Sequence, residues 1–257
     1  MMTAREPASD CPRQEPAFAN ILFSGRCNLR CPDCIGRQLG PRRPDNLGLF
    51  PPRNLAAFCA VLVREGVREL SLTGSNTDPM LYRHQEALVH TLRRRIPGVR
   101  LSLHTNGQLA LSHLALFHLY DRAAVSVPSL EFDTYRAMTG GGRLFDLGDL
   151  LLASRIPIKV SVLVTHRNLD EIPRLLAGLQ QLGVRRAVLR RCLGMPLPDT
   201  LLPQRTPHHT FAANPVYDLD GMEVTDWRFE TTTLRCFNLF SDGSMAGDYL
   251  LGPARAA

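Results

Sequence analysis

The chain has almost no lysine: of its 30 basic residues, only Lys159 is not an arginine. The two residue types are exchangeable on a solvated surface but not where a compact ammonium on a slim stem must fit, so Lys159 marks a candidate functional position. There is no run of about eighteen apolar residues, which argues against a membrane-spanning helix. The first residues, MMTAREPASDCPRQEP, lack the apolar core of a signal peptide. Residues 1–18 read as a flexible, proline-rich lead-in, and a cytoplasmic setting with reduced thiols is expected. A disulfide framework is not expected: seven is an odd number of cysteines, and Cys11, Cys59, Cys192 and Cys236 are scattered. Acidic residues fall short of basic ones, 24 against 30, for a formal charge of +6. The arginines are spread along the chain without an aromatic–basic stripe, so nucleic acid is not the expected partner.

With 257 residues, 44% of them hydrophobic, the chain suits one large domain with at most an appendage. Strand and helix patterns alternate. Strands are predicted near 19–23, 68–73, 99–105, 123–127, 156–165 and 186–191, and helices near 54–65, 81–96, 109–120, 132–138, 147–154 and 168–182. Asn168 with Glu171 three residues on resembles a capping box. The alternation predicts an α/β fold with a parallel sheet. Six units are too few for a closed eight-stranded barrel and fit a partial, open (βα)6 TIM-like barrel over 19–192. Residues 193–217, with Pro196, Pro198, Pro203, Pro207 and the His208–His209 pair, read as a long loop. A short C-terminal β-rich extension, a hairpin turning at Ser241-Asp242-Gly243 and packing on the barrel, completes 193–257.

The densest chemistry lies in GRCNLRCPDC, where Cys27, Cys31 and Cys34 are separated by three and then two residues. Structural zinc takes four ligands, commonly from paired C-x-x-C units, and no second pair stands at a usable spacing. A [4Fe–4S] cluster has four irons, and three thiolates leave one of them open to another molecule. This CxxxCxxC run, placed directly after the first strand of a βα barrel, resembles the signature of the radical S-adenosylmethionine (radical SAM) superfamily. Residues 19–192 resemble its core as found in the molybdenum-cofactor cyclases. The resemblance implies a [4Fe–4S] cluster on Cys27, Cys31 and Cys34, with SAM chelating the open iron. An electron from a donor such as flavodoxin or ferredoxin would cleave the sulfonium, and the resulting 5′-deoxyadenosyl radical would take a hydrogen atom from substrate.

The resemblance also implies SAM contacts. Gly74 and Ser75 stand where many relatives carry Gly-Gly-Glu, although the glutamate is missing here. Thr105-Asn106-Gly107 resembles their Thr-Asn-Gly, and Ser126 matches a serine near the end of the fourth strand. Asp33 replaces an aromatic residue that usually precedes the third cysteine. No dense C-terminal cysteine group is present, so a single cluster and no auxiliary-cluster domain are expected.

Side chains alternate along a strand. On the fifth strand Lys159 and Ser161 share one face and the valines the other, so Lys159 should point into the barrel. An inward lysine needs an anion: a substrate or SAM group, or a structural carboxylate. Arg190 and Arg191 pose the same choice, since only one can face inward; Arg190 joins the cofactor-binding candidates and Lys159 is the catalytic one. On the third strand Thr105 is expected inward, which turns Ser102 and His104 away. Three functions stay open: a radical SAM enzyme acting on a small anionic substrate, a peptide- or protein-modifying member or glycyl-radical activase, and a non-catalytic iron–sulfur redox protein.

Overall fold

A computed structural model of the chain describes residues 17–37 and 43–247. Six strands run parallel and side by side in sequence order: β1 (Ala17–Phe23), β2 (Glu69–Gly74), β3 (Arg100–Thr105), β4 (Arg122–Ser126), β5 (Ile158–Val164) and β6 (Arg186–Arg191). Between them lie α1 (Leu55–Arg64), α2 (Gln85–Arg95), α3 (Leu114–Phe117), α4 (Phe132–Thr139), α5 (Leu147–Ala153) and α6 (Ile172–Gln181). The result is the expected open α/β barrel with C-terminal β strands.

Alternation decides which face each strand residue takes. Val160, Val162 and Val164 of β5 join Leu101 and Leu103 of β3 and Leu189 of β6 in the helix-side core. Burial of each such side chain contributes about 1.5–3 kcal/mol. The opposite faces, with Ser71, Ser102, Lys159, Ser161 and Arg190, are the polar barrel interior. At the starts of the strands Glu69 of β2 pairs with both Arg100 and Arg122, and Arg186 of β6 pairs with Glu223.

Beyond β6 the chain adds strands at both edges of one sheet. On one side β9 (Met222–Trp227) runs parallel to β6, followed outward by β8 (Asn214–Leu219) and β7 (His209–Phe211), both antiparallel to their inner neighbours. On the other, β10 (Arg235–Leu239) runs parallel to β1, and β11 (Met245–Ala246) folds back on it. The turn between β10 and β11 is at Ser241–Gly243, as expected, with Gly243 at φ +87°. Of the lead-in, residues 1–16 lie outside the described residues, and Ala17 and Phe18 belong to β1.

Three local expectations are corrected. The helix over 109–120 shrinks to the single turn of α3. Ser112 Oγ donates to the Leu109 carbonyl and the His113 ring also meets it, an alternative that short polar side chains offer to helical bonding. Asn168 stands at the N-cap position of a 3-10 turn (Leu169–Glu171) that precedes α6, but its side chain makes no cap bond. Its amide oxygen accepts from Thr165 N (2.8 Å) and its nitrogen donates to Pro128 O (2.7 Å) and Leu163 O (2.9 Å), binding the ends of β4 and β5 together. The expected loop over 193–217 ends in β7 and the start of β8. Pro215 obscured this; it is the second residue of β8 and stands before that strand's pairing with β9 begins at Val216, a strand-start position where a proline is tolerated.

The first part of that loop is held by charge. Asp226 of β9, fully buried, takes two 2.8 Å bonds from Arg191, which also donates to the carbonyls of Pro198 and Asp199. Replacing Asp226 by alanine leaves the Arg191 guanidinium buried without its counter-ion, which costs about 3–5 kcal/mol. Glu223→Ala breaks an exposed pair worth under about 1 kcal/mol. The expected outcome is a large drop in melting temperature for Asp226→Ala and little change for Glu223→Ala, measured by circular dichroism.

Candidate active site

The C-terminal ends of the strands carry the site. The cysteine loop leaves β1 at Ser24 and is fastened on three sides. Ser24 N donates to Asn46 Oδ1 (3.0 Å), Gly25 N to Asn76 Oδ1 (3.2 Å), and Arg30 N to the carbonyl of Thr139 at the end of α4 (3.1 Å). Gly36 lets the loop lie against the turn after β2: a Cβ there would stand 1.9 Å from Ser75 O.

The turn after β2 doubles back so tightly that a Cβ on Gly74 would lie 1.7 Å from Thr77 O. Glycine is therefore demanded by the turn itself. Ser75 donates its hydroxyl to Phe23 O at 2.9 Å. Asp78, buried, accepts from Met80 N (2.9 Å), Thr105 Oγ1 (3.0 Å) and Asn106 N (2.6 Å). Burial pushes its carboxyl upward while these hydrogen bonds pull it down, and burial wins.

These loops surround a cavity of about 230 Å³ lined by Cys27, Cys31 and Cys34 together with Gly74, Ser75, Thr105, Asn106, Ser126 and Arg190. Nine of the ten candidate residues thus meet at one place. Lys159 is the exception. It occupies the inward face of β5, as the alternation requires, but one level below Ser161 and outside the lining of this cavity. Burial, then the charges of Arg190, Arg186 and Arg122, lower its pKa from 10.5 to about 8. The choice between Arg190 and Arg191 is settled: Arg191 serves Asp226, and Arg190 enters the cavity with its Nε buried and without a hydrogen-bond partner.

The expected orientation of β3 is reversed. Leu101 and Leu103 take the helix side, so Ser102 and His104 face the interior, where the small neighbours Ser71 and Ala124 leave room for an imidazole. The His104 ring lies 3.5 Å from Ser71 Oγ. Burial and the nearby Arg190, Lys159 and Arg122 hold it neutral, well below the usual histidine range. Thr105 reaches the rim, but its hydroxyl belongs to Asp78. Phe229, which follows β9, also lines the cavity. It is set by Asn214, buried, which accepts from Arg228 N (2.6 Å) and donates to Thr232 Oγ1 (3.1 Å). No local pattern marks Phe229, whose place depends on a strand pairing across the sheet. Asp33 is engaged by Arg167 from the loop after β5, at 3.7 Å.

The family model of the Radical SAM superfamily matches residues 21–179. The chain belongs to that superfamily. Among curated relatives, a GTP 3′,8-cyclase of Rhodopseudomonas palustris (strain TIE-1) is 31% identical over 197 residues, 71% of this chain and 54% of that protein. A GTP 3′,8-cyclase of Mycobacterium marinum is 31% identical over 173 residues, 61% and 47% of the two chains. The chain therefore spans about half the length of the curated relatives it matches. Among solved structures, Streptococcus suis SuiB bound to the precursor peptide SuiA has a TM-score of 0.60 at 13% identity, covering 94% of this chain and 62% of that one. The structure titled anSMEcpe with bound AdoMet has a TM-score of 0.51 at 16% identity, covering 72% and 54%. At these identities the two show the radical SAM fold.

The cofactors of a radical SAM site are a [4Fe–4S] cluster and SAM, and the donor set fits them. Among the described residues, no group of three His, Cys, Asp or Glu side chains is gathered closely enough for a single metal ion. A cubane does not need that, because each cysteine binds a different iron. Cys27, Cys31 and Cys34 are all partly accessible at the cavity wall. Burial pushes the Cys27 thiol up, so its deprotonation is coupled to metal binding. Cys59, Cys192 and Cys236 are buried and line no part of this cavity; Cys11 lies outside the described residues. Anaerobic reconstitution is expected to load about four irons and four sulfides per chain, and replacing Cys27, Cys31 and Cys34 together by alanine should abolish loading. About eight irons per chain, or a full cluster in the triple variant, would overturn this assignment.

Proposed function

We propose that this protein cleaves SAM reductively at a single cluster and takes a hydrogen atom from a small anionic substrate held in the barrel. The observation that carries this reading is the excess of positive charge inside it. Lys159 and Arg190 both face the interior, and among the described residues no ion pair joins either to a carboxylate. The nearby acids are committed elsewhere: Glu69 to Arg100 and Arg122, Glu223 to Arg186, and Asp33 to Arg167. A buried cation without a counter-ion is costly, and an anionic ligand removes that cost. Among the described residues, Glu223 is the one carboxylate whose charge acts on Lys159, and its own ion pair is with Arg186.

When bound, the cluster and SAM supply one-electron cleavage of a sulfonium and a carbon radical able to abstract hydrogen. The chain supplies position and shelter. The 74–77 turn and Ser126 hold the SAM side of the cavity. Arg190, which lines the cavity, and Lys159 below it offer positive charge to the substrate anion. Neutral His104, also on the cavity lining, adds a polar ring without adding charge. Phe229 and Leu163 form an apolar wall that excludes water. A low-potential donor such as flavodoxin or ferredoxin in the cytoplasm would deliver the electron. GTP is the first substrate to test, because the curated relatives are named GTP 3′,8-cyclases.

The test incubates reconstituted protein with SAM, dithionite and either GTP or a pool of small anionic metabolites. Mass spectrometry should find a new product in step with 5′-deoxyadenosine. Product from an added peptide pool alone would replace the small-anion reading, and no 5′-deoxyadenosine under strong reduction would mean a redox protein. Lys159→Met is expected to keep the cluster and lose about 2 kcal/mol of substrate binding, the scale of a through-space attraction between unit charges about 8 Å apart at an effective dielectric constant of about 20. Only protonated Lys159 attracts an anion, so wild-type kcat/KM should fall as pH rises through about 8, and the variant should lack that limb. Between about 8 and 10.5 the unfolded chain binds more protons at this site than the folded one. Folding stability contributed by Lys159 therefore rises with pH across that window, and this rise too should vanish in Lys159→Met.

A further inference from the structure

Asn106 follows β3, and both polar groups of its side chain are engaged. Its Oδ1 accepts from Gln108 N at 3.0 Å, which fixes the rotamer. Its Nδ2 then donates to Asn28 Oδ1 at 2.7 Å and stands 3.9 Å from Cys27 Sγ. Asn28 Oδ1 is itself 3.5 Å from that sulfur, and Leu29 N donates to it at 3.4 Å. The three atoms form a triangle of one donor, Asn106 Nδ2, and two atoms that are both acceptors once the sulfur is bound to iron. The Asn28 oxygen already stands against this sulfur, and the Asn106 amide is the donor set beside the two acceptors.

Hydrogen bonds to cluster sulfurs raise the reduction potential, because the reduced cluster carries one more negative charge and draws more from each donor. We infer that Asn106 is a positioning residue for the cluster: its amide bridges Asn28 and the Cys27 sulfur and makes the cluster easier to reduce. This goes beyond the substrate reading and does not depend on it.

Asn106→Ser keeps an acceptor for Gln108 N but is too short to reach Cys27. Asn106→Asp keeps the size and the acceptor while putting a negative oxygen where the donor was. Both proteins, reconstituted without SAM or substrate, are titrated with dithionite and redox mediators, following the electron paramagnetic resonance signal of the reduced cluster. Both midpoints should move negative, Asp further than Ser. For Asp, the reduced-to-oxidised ratio at a fixed potential is expected to fall about tenfold, equivalent to about 59 mV for one electron. Midpoints equal to wild type in both variants would overturn the inference. So would loss of the cluster from both with an unchanged melting temperature, which would make Asn106 a holder of the cysteine loop and not a tuner of the cluster.

Discussion

The buried carboxylate of Asp78 gathers Met80 N, Thr105 Oγ1 and Asn106 N around itself, tying the turn after β2 to the end of β3. Parallel strands deliver their C-terminal ends to one side of a sheet but do nothing to fix the loops that leave them. Here each loop is fixed by the next. Asp78 sets Asn106, Asn106 meets Asn28 in the cysteine loop, and Asn76 in the β2 turn accepts from Gly25 at that loop's root. At Gly36, Gly74 and Gly140 backbone approaches backbone too closely for any side chain, the last of them against Arg30 of the cysteine loop. The position of the three thiols is therefore a property of three strand ends together.

The barrel interior works under a different constraint. Its outer face is satisfied by apolar packing, but its inner face holds cations whose natural partners are spent at the strand starts. Lys159 responds by losing affinity for its proton and His104 by staying neutral. Arg190 cannot deprotonate, and its Nε is left without a partner. An interior of this kind is stabilised by whatever anion enters it, which couples ligand binding to the stability of the fold.

Much of this was legible in the residues. The order of the six parallel strands, the place of the cysteine loop and the inward direction of Lys159 all follow from local patterns. Periodicity of two against periodicity of 3.6 separates strand from helix within a few residues. The spacing of Cys27, Cys31 and Cys34 restricts the metal chemistry without reference to anything distant. The failures are equally local in origin. Asn168 offered a capping pattern but found better partners in the carbonyls of Pro128 and Leu163. Pro215 made a strand resemble a loop.

By itself the sequence determined a βα barrel, three thiols on its first loop and a single lysine on the inner face of its fifth strand, because alternation and spacing are properties of neighbours along the chain. That His104 faces inward, that Arg190 and not Arg191 enters the cavity, that Phe229 lines it and that the last strands join opposite edges of the sheet are outcomes of tertiary packing. Each of those outcomes depends on which distant strand supplies a counter-ion, a small neighbour or an unpaired edge. Arg191 turns away because Asp226 awaits it 35 residues later, and no local pattern around either residue records that meeting.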